Sequence, residues 1–396
     1  MELNVIIAKG NIETLVYYMD GFVDYCIRHN ISYYIIDYND PASYNSEEFE
    51  IFLEKPNVVV LAFNNYFYNF SYNNNGKAFN IWKYHNIPYF DYVVDHPRNF
   101  YDTMEKPDCD LYVFSLDRNH AEFIKKWYPK VKKVYFSPNG GFEVDSSVPY
   151  EKRPIDVIVM TNCQGEIKNY PRIAFLWDGG VDFYIHTLEI MYDDTMLTTE
   201  RAIERYFYDR GIPVTDEQLL CLNKDAAGYL ENTVRRTTKL NGLKALDDAG
   251  INVDVYGGGY TDSGIDFSDN VKFHGRIPVS ELMPIIGQAK ISLCFMPWFK
   301  AGSSEKNFDS MLNGALCVTD RSNYLEEQYI DGFNIVYYNL SNPAQMAADV
   351  KWLLDNVGKA KDIARRGYDT AICHDTWAVR YDFVIEKMRE VLENRS

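Results

Sequence analysis

The sequence predicts an α/β protein of two domains, each built on a mostly parallel sheet. Three observations predict it. Short apolar, β-branched runs alternate with segments whose apolar residues recur at helical spacing. The alternation stops at 139–153 (NGGFEVDSSVPYEKR), a stretch rich in Gly, Pro and Ser, and then resumes. The chain has 396 residues, enough for two such domains and too many for one.

The first series opens with the strand LNVIIA (3–8) and a helix that carries Leu15, Val16, Met19, Phe22, Val23 and Cys26 on one face. Strands follow at ISYYIID (31–37), NVVVLAF (57–63), YFDYVVD (89–95) and DLYVFS (110–115), then the helix HAEFIKKWY (120–128) and the strand KKVYFSP (132–138). The second series runs from PIDVIVMTN (154–162) through a helix around 233–249 to the strands NVDVYGGG (252–259) and VKFHGRI (271–277). AKISLCFMP (289–297), GALCVTD (314–320) and FNIVYY (333–338) complete it, with last helices near 343–356, 358–370 and 377–393. Residues 166–232 interrupt the second series with helical text longer than an ordinary loop. This insertion is read as scaffold, or as an acceptor or homo-oligomer surface.

The formal charge of −17 disfavours nucleic acid and anionic lipid as general partners. No run approaches the roughly 20 apolar residues of a membrane span, and the opening MELNVIIAKG reads as a strand rather than a secretion signal. Seven scattered cysteines without a CxxC pair fit buried thiols in a reducing cytoplasm. The tyrosine- and asparagine-rich segment from Asn64 to Asn80 is a surface loop by composition; its rings and amides are also groups that hold sugars.

The most informative stretch is MPWFKAGSSEKNFDSMLNGALCVTD, from Met296 to Asp320. It reads as strand end, loop, helix, glycine turn and strand. Ser303 or Ser304 caps the helix, Phe308, Met311 and Leu312 bury one face, and Gly314 takes the left-handed position after Asn313. The helix then starts at the carboxyl edge of a parallel sheet, where such folds bind ligands. Amides of Gly302, Ser303 and Ser304 suit a phosphate. Lys300 and Lys306 bracket them, and Glu305 and Asp309 share a helical face on which a carboxylate can accept ribose hydroxyls. A surface helix with an acidic face reads equally well from this stretch alone.

Residues 233–390 resemble the CgeB-type branch of the group 1 glycosyltransferases, relatives of the retaining GT4-like enzymes. The resemblance rests on FHGRIPVSEL (273–282), SSEKNFDSMLNGALCVTD (303–320), YLEEQYIDGFNIVYYN (324–339) and HDTWAVRYDF (374–383). It implies the GT-B fold: two Rossmann-like α/β domains with parallel sheets facing a central cleft. The acceptor-side domain would span 1–150, completed by the C-terminal helix 377–396. The domain that binds a nucleotide-sugar would span 151–376, with the helical insertion 166–232. By the same resemblance Asp309, five residues before Gly314, binds the donor ribose. The broader family carries glutamate there, and Ala301 stands where another glutamate often contacts the sugar. Glu305 and Lys306 match the acidic–basic pair of the CgeB-like pattern. Arg276 and Ile277 would border the base, and Tyr256, Gly257 and Gly258 the cleft.

Other candidates carry two readings each. Asp95-His96-Pro97 ends a strand; His96 backed by Asp95 suits a base on an acceptor hydroxyl, or a strand-end turn. His274 suits the diphosphate or a structural bond. The run Gly257–Gly259 lacks a third glycine at Asp262, so it reads as a loop rather than a dinucleotide fingerprint. Asp375 is expected to cap the final helix and Trp377 to pack. No spacing of His, Cys or acidic residues points to a metal, so none is expected as cofactor. The expected activity is sugar transfer from a nucleotide-sugar to a hydroxyl acceptor (a glycan, a protein or a cell-surface component such as a bacterial surface glycan), retaining and without metal. The alternatives are a nucleotide-sugar epimerase or hydrolase on the same scaffold, and a degenerate nucleotide-sugar-binding protein.

Overall fold

The structure, a computed structural model, describes all residues except 1, 75–76, 145–147, 166–170, 172–176, 261–262 and 396. The chain divides into two compact units, Met1–Gly140 with Trp377–Ser396, and Gly141–Thr376. The division falls inside the Gly/Pro/Ser-rich stretch.

The first unit contains β1 (Asn4–Lys9), α1 (Glu13–Arg28), β2 (Ser32–Asp37), α2 (Glu47–Leu53) and β3 (Val58–Phe63). A small antiparallel hairpin, β4 (Ser71–Asn74) and β5 (Lys77–Asn80), follows inside the Tyr/Asn-rich segment. Then come α3 (Ile81–Tyr84), β6 (Tyr89–Val93), α4 (Tyr101–Glu105), β7 (Leu111–Ser115), α5 (Arg118–Trp127) and β8 (Lys133–Phe136). Its six-stranded sheet has the order β2-β1-β3-β6-β7-β8, every pairing parallel. VVVLAF of β3 is buried along its whole length, as expected of a central strand covered on both faces.

The second unit begins with β9 (Ile155–Met160) and continues through α6 (Gly180–Asp193), α7 (Thr199–Asp209), α8 (Asp216–Asp225) and α9 (Ala227–Asp248). The described part of the insertion is therefore helical. Thr215 and Gln218 close a capping box at the start of α8. The sheet is completed by β10 (Val253–Tyr256), β11 (Val271–Gly275), α10 (Val279–Ile286), β12 (Ala289–Cys294), α11 (Glu305–Leu312), β13 (Leu316–Asp320) and β14 (Val336–Tyr338). Helices α12 (Pro343–Asp355) and α13 (Val357–His374) close the unit. The strand order is β11-β10-β9-β12-β13-β14, again all parallel. In both sheets the order reverses beside the first strand. The switch points lie between β1 and β3 and between β9 and β12, the places where open parallel sheets bind ligands.

The last helix, α14 (Trp377–Glu393), returns to the first unit. Its Trp377 ring is buried against Tyr18 at 4.5 Å, Tyr92 at 5.6 Å and Phe63 at 6.0 Å. The Tyr381 hydroxyl donates to the Tyr18 carbonyl at 2.6 Å, and Arg380 Nε to the Asn139 carbonyl at 3.1 Å. Asp375, expected to cap this helix, has further partners. Its carboxylate accepts from the hydroxyls of Tyr324 (2.9 Å) and Tyr329 (2.6 Å) in the second unit, and its carbonyl takes the Gly141 amide (2.8 Å).

Trp377→Ala would leave a large void among these rings. It is expected to destabilise the first unit by about 3–5 kcal/mol, read from denaturant unfolding.

Candidate functional site

The carboxyl ends of β9, β10, β11 and β12 and the start of α11 form one edge of the second unit. Ser304 caps α11 with extended backbone, and its Oγ accepts the Lys306 amide at 3.4 Å. Gly302, Ser303 and Ser304 are buried. The Ser303 hydroxyl donates to the Ser304 carbonyl (3.1 Å) and to Asn307 Oδ1 (3.3 Å), so side chains here fix the loop that presents the amides. Gly314, φ +71°, ends the helix; a Cβ there would lie 2.8 Å from the Arg153 guanidinium, so glycine is required twice over.

The charged residues of α11 have local partners. Lys306 pairs with Glu305, whose other oxygen accepts from Ser304 Oγ at 2.9 Å. Burial pushes the Glu305 carboxyl up, but Lys306 and the Ser304 bond outweigh it and hold it below the usual carboxylate range. Lys300 is buried and donates to the Thr195 carbonyl, between α6 and α7. It lines a cavity of about 330 Å³ with Thr195, Thr237, Asn241 and Ser341.

Asp309 Oδ1 accepts the Phe142 amide at 2.9 Å. Asn313 accepts from the Val144 amide (2.9 Å) and donates to the Phe142 carbonyl (2.9 Å). Gly141 presses on the same helix: a Cβ there would be 2.7 Å from the Asp309 nitrogen. The expected ribose ligand thus fastens the first residues of its unit to α11. Burial pushes its carboxyl up to about 8.

On the opposite side of the switch point, the Tyr256 and His274 rings stack at 4.5 Å and 9°, and His274 Nε2 lies 2.6 Å from Asp254 Oδ1. The Gly258 amide donates to Asn162 Oδ1 at 2.9 Å, and Arg276 lies over Gly258. A Cβ on Gly257 would come within 2.0 Å of the Thr161 carbonyl oxygen, so this loop must be glycine to run against the end of β9. Asp262 lies outside the described residues. Ile277 is half-buried at the end of the same edge.

In the first unit, His96 is buried, and Nδ1 accepts the Arg98 amide at 3.1 Å. The neutral ring then carries its proton on Nε2, an arrangement that donates rather than abstracts. Its ring packs on His120 and Phe123. Asp95 accepts from Asn64 Nδ2 at 2.9 Å.

The structure adds residues that motif reading passed over. Lys239 of α9 is 1% exposed and donates to the Asn162 carbonyl (2.7 Å) and to Gln164 Oε1 (3.1 Å) at the end of β9. Its ammonium lies 5.5 Å from the Trp298 ring, at the end of β12. Arg235, one turn earlier, stacks on that ring at 3.9 Å. Arg236 donates to the carbonyls of Gln164 (2.9 Å) and Ser263 (2.9 Å). Burial, then repulsion from Arg235 and Lys306, holds the Lys239 ammonium down to about 7. A cationic cluster therefore sits at the β9–β12 switch point, beside the amino end of α11. The signal was present in NTVRRTTKL (232–240), three cations within five residues of one helix.

Residues 235–386 match the family model described as glycosyl transferase-like. No curated protein matches the chain significantly in sequence. Among solved structures, an alpha-glucosyltransferase in complex with UDP-glucose and DNA containing an abasic site superposes with a TM-score of 0.54 at 10% identity, over 98% of this chain and 99% of that one. Sucrose-phosphate synthase from Thermosynechococcus elongatus gives 0.53 at 9%, over 99% and 100%. HepE from Anabaena, in complex with UDP-glucose, gives 0.50 at 10%, over 98% and 99%. At such identities these likenesses carry the fold alone. Two parallel-sheet α/β units of this topology define the GT-B class. The chain has that fold, and its C-terminal part matches the glycosyl transferase-like family model.

The Asp309 clamp has a pH consequence. Its carboxyl titrates higher folded than unfolded, so its contribution to stability is full below about pH 4 and is lost as pH rises through about 8. Asp309→Asn keeps an acceptor for the Phe142 amide and is expected to flatten this part of the melting-temperature profile. Asp309→Ala leaves the amide unpaired and is expected to cost about 1–3 kcal/mol near pH 4, and less as pH rises toward 8.

Proposed function

We propose that the chain transfers a sugar from a nucleotide-sugar donor to a hydroxyl acceptor, with retention of configuration and without a metal ion. The observation that carries the donor reading is the Lys239 cluster. A buried ammonium held down by burial and by two cationic neighbours is relieved when a dianion arrives. A diphosphate between Lys239, Arg235 and the first amides of α11 meets both cations and a helix dipole. Those groups stabilise the charge that grows on the leaving diphosphate, the task a metal performs elsewhere. Glu305 sets the position of Lys306 beside them. The base and ribose are read by the neighbouring strand ends, Arg276 and Ile277 among them, with Asp309 reaching the ribose if the Phe142 bond yields.

The structural relatives solved with UDP-glucose, HepE and the alpha-glucosyltransferase, support a uridine nucleotide as the first donor to test. The motifs at 273–282 and 303–320 support the CgeB-like branch. All seven cysteines are free thiols, which supports a cytoplasmic site of action on a precursor of a surface glycan. Among the described residues no helix is long and apolar enough to cross a membrane. In the insertion, exposed Tyr208 and Ile212 support a further contact, with acceptor or a second copy.

A thermal-shift screen against UDP, GDP, dTDP and CMP, with and without EDTA, tests the donor reading. One nucleotide family is expected to stabilise the protein, unaffected by EDTA. Lys239→Met is expected to weaken that binding roughly 10- to 100-fold while leaving the unliganded melting temperature unchanged or raised. Affinity is also expected to fall as pH rises above about 7, because binding then requires proton uptake by Lys239. Folded protein that answers to no nucleotide contradicts the proposal.

A further inference from the structure

The first unit holds a cavity of about 260 Å³ that sugar transfer does not call for. The residues around it precede β6, β7 and β8, so it lies at the amino ends of those strands. That is the edge opposite the one where open parallel sheets bind their ligands. Ile87 and Cys109, both buried, form part of its wall. Burial pushes the Cys109 thiol up to about 12, so it offers no thiolate for covalent chemistry.

The wall is cationic although the chain carries a net charge of −17. Lys83, Lys130, Lys132 and Arg395 stand there with Asp108 and Asp110, four cations against two carboxylates, a net of +2. Asp110 is already engaged. One oxygen lies 3.2 Å from Lys132 Nζ and the other 3.2 Å from Arg395 Nη1. Arg395 is braced a second time, since its Nη2 donates to the Asn86 carbonyl (3.0 Å) and to Asn86 Oδ1 (2.6 Å). Among the described residues, Lys83 and Lys130 have no ion-pair partner. Acidic residues outnumber basic ones 57 to 40 in this chain, so two open lysines on one concave wall are not the ordinary state of a solvated face.

Two open ammonium groups beside a fixed guanidinium suit a dianion. A phosphate monoester carries about −1.5 to −2 charges near pH 7 and has three acceptor oxygens, and a carboxylate brings at most half that charge. Lysine binds such a group as a point charge and arginine by its planar fork. The cavity is small even for a drug-sized ligand. The strongly negative chain disfavours an anionic bilayer as the source of the phosphate. We infer that this cavity binds a small soluble phosphate monoester through Lys83, Lys130 and Arg395. The site belongs to the first unit, whereas the Lys239 cluster belongs to the second, and it does not depend on the glycosyltransferase reading.

The test titrates the full chain calorimetrically with inorganic phosphate and with glycerol phosphate, chloride holding the ionic strength constant. Wild type, the double variant Lys83→Gln/Lys130→Gln, and Lys239→Met are compared, and UDP affinity is measured on the same samples. Wild type and Lys239→Met are expected to bind both phosphates alike. The double variant is expected to bind them about 10- to 100-fold more weakly, with UDP affinity unchanged. Both lysines are exposed, so the double variant should fold, and a matching melting temperature verifies this. Each single substitution is expected to give an intermediate loss. A wild type that binds neither phosphate overturns the inference, as does binding that survives the double substitution or disappears in Lys239→Met. Binding to phosphatidic acid vesicles alone, with no response to either soluble phosphate, also overturns it. Phosphate binding that depends on Lys83 and Lys130, in protein that answers to no nucleotide, supports the site and removes the donor reading instead.

Discussion

Lys239 is an ammonium taken out of water at the point where the second sheet reverses its strand order. Desolvating such a charge is costly, and the unit offsets the cost with a carbonyl and an amide oxygen from the end of β9 and the face of Trp298 from the end of β12. The two strands that flank the switch point are thereby tied to one side chain of α9. The arrangement fixes the residues after β9, which in turn receive the glycine loop after β10 through Asn162. Much of the geometry of this edge follows from holding one cation in place. Oxygens that are not carboxylates hold it without neutralising it, so the charge stays available to an anion.

The amino end of α11 faces the same edge and is fixed from below. Ser310 donates to Ser292 at 2.7 Å, joining the helix to β12, and Asn307 reaches Cys317 of β13 at 3.5 Å. From outside, Asp309 and Asn313 hold residues 142–144. A helix held on both sides can offer its amides in a set geometry, and electrostatic stabilisation of a leaving group requires that preorganisation. The acidic residues of α11 both have local partners. Glu305 pairs with Lys306 and Asp309 fastens a segment, while α9 contributes the cations.

The fold was open to sequence reading because both sheets are parallel and buried on two faces. Runs such as VVVLAF and IDVIVM then stand out without any need to judge alternation. The cap at Ser304 and the left-handed Gly314 were likewise legible, since each follows from local backbone demands. What escaped was set by tertiary contact. Nothing local marks Lys239 as buried; it looks like any solvated helix lysine until the end of β9 is folded over it. Asp309 carries the sequence position of a ribose ligand, but its partner Phe142 is remote in the chain. His96 was legible as a strand-end residue; its bond to Arg98 depends on the turn that Pro97 imposes. The hairpin β4–β5 was hidden in a segment whose composition reads as loop.

The central claim is that the β9–β12 switch point is an anion site organised by Lys239. The most direct test is an NMR titration of the Lys239 side-chain ammonium, assigned by comparison with Lys239→Met, with and without UDP. The account predicts a midpoint near 7 in the free protein that moves upward when UDP binds. An ordinary lysine midpoint in the free protein, or a midpoint that UDP binds without moving, contradicts it.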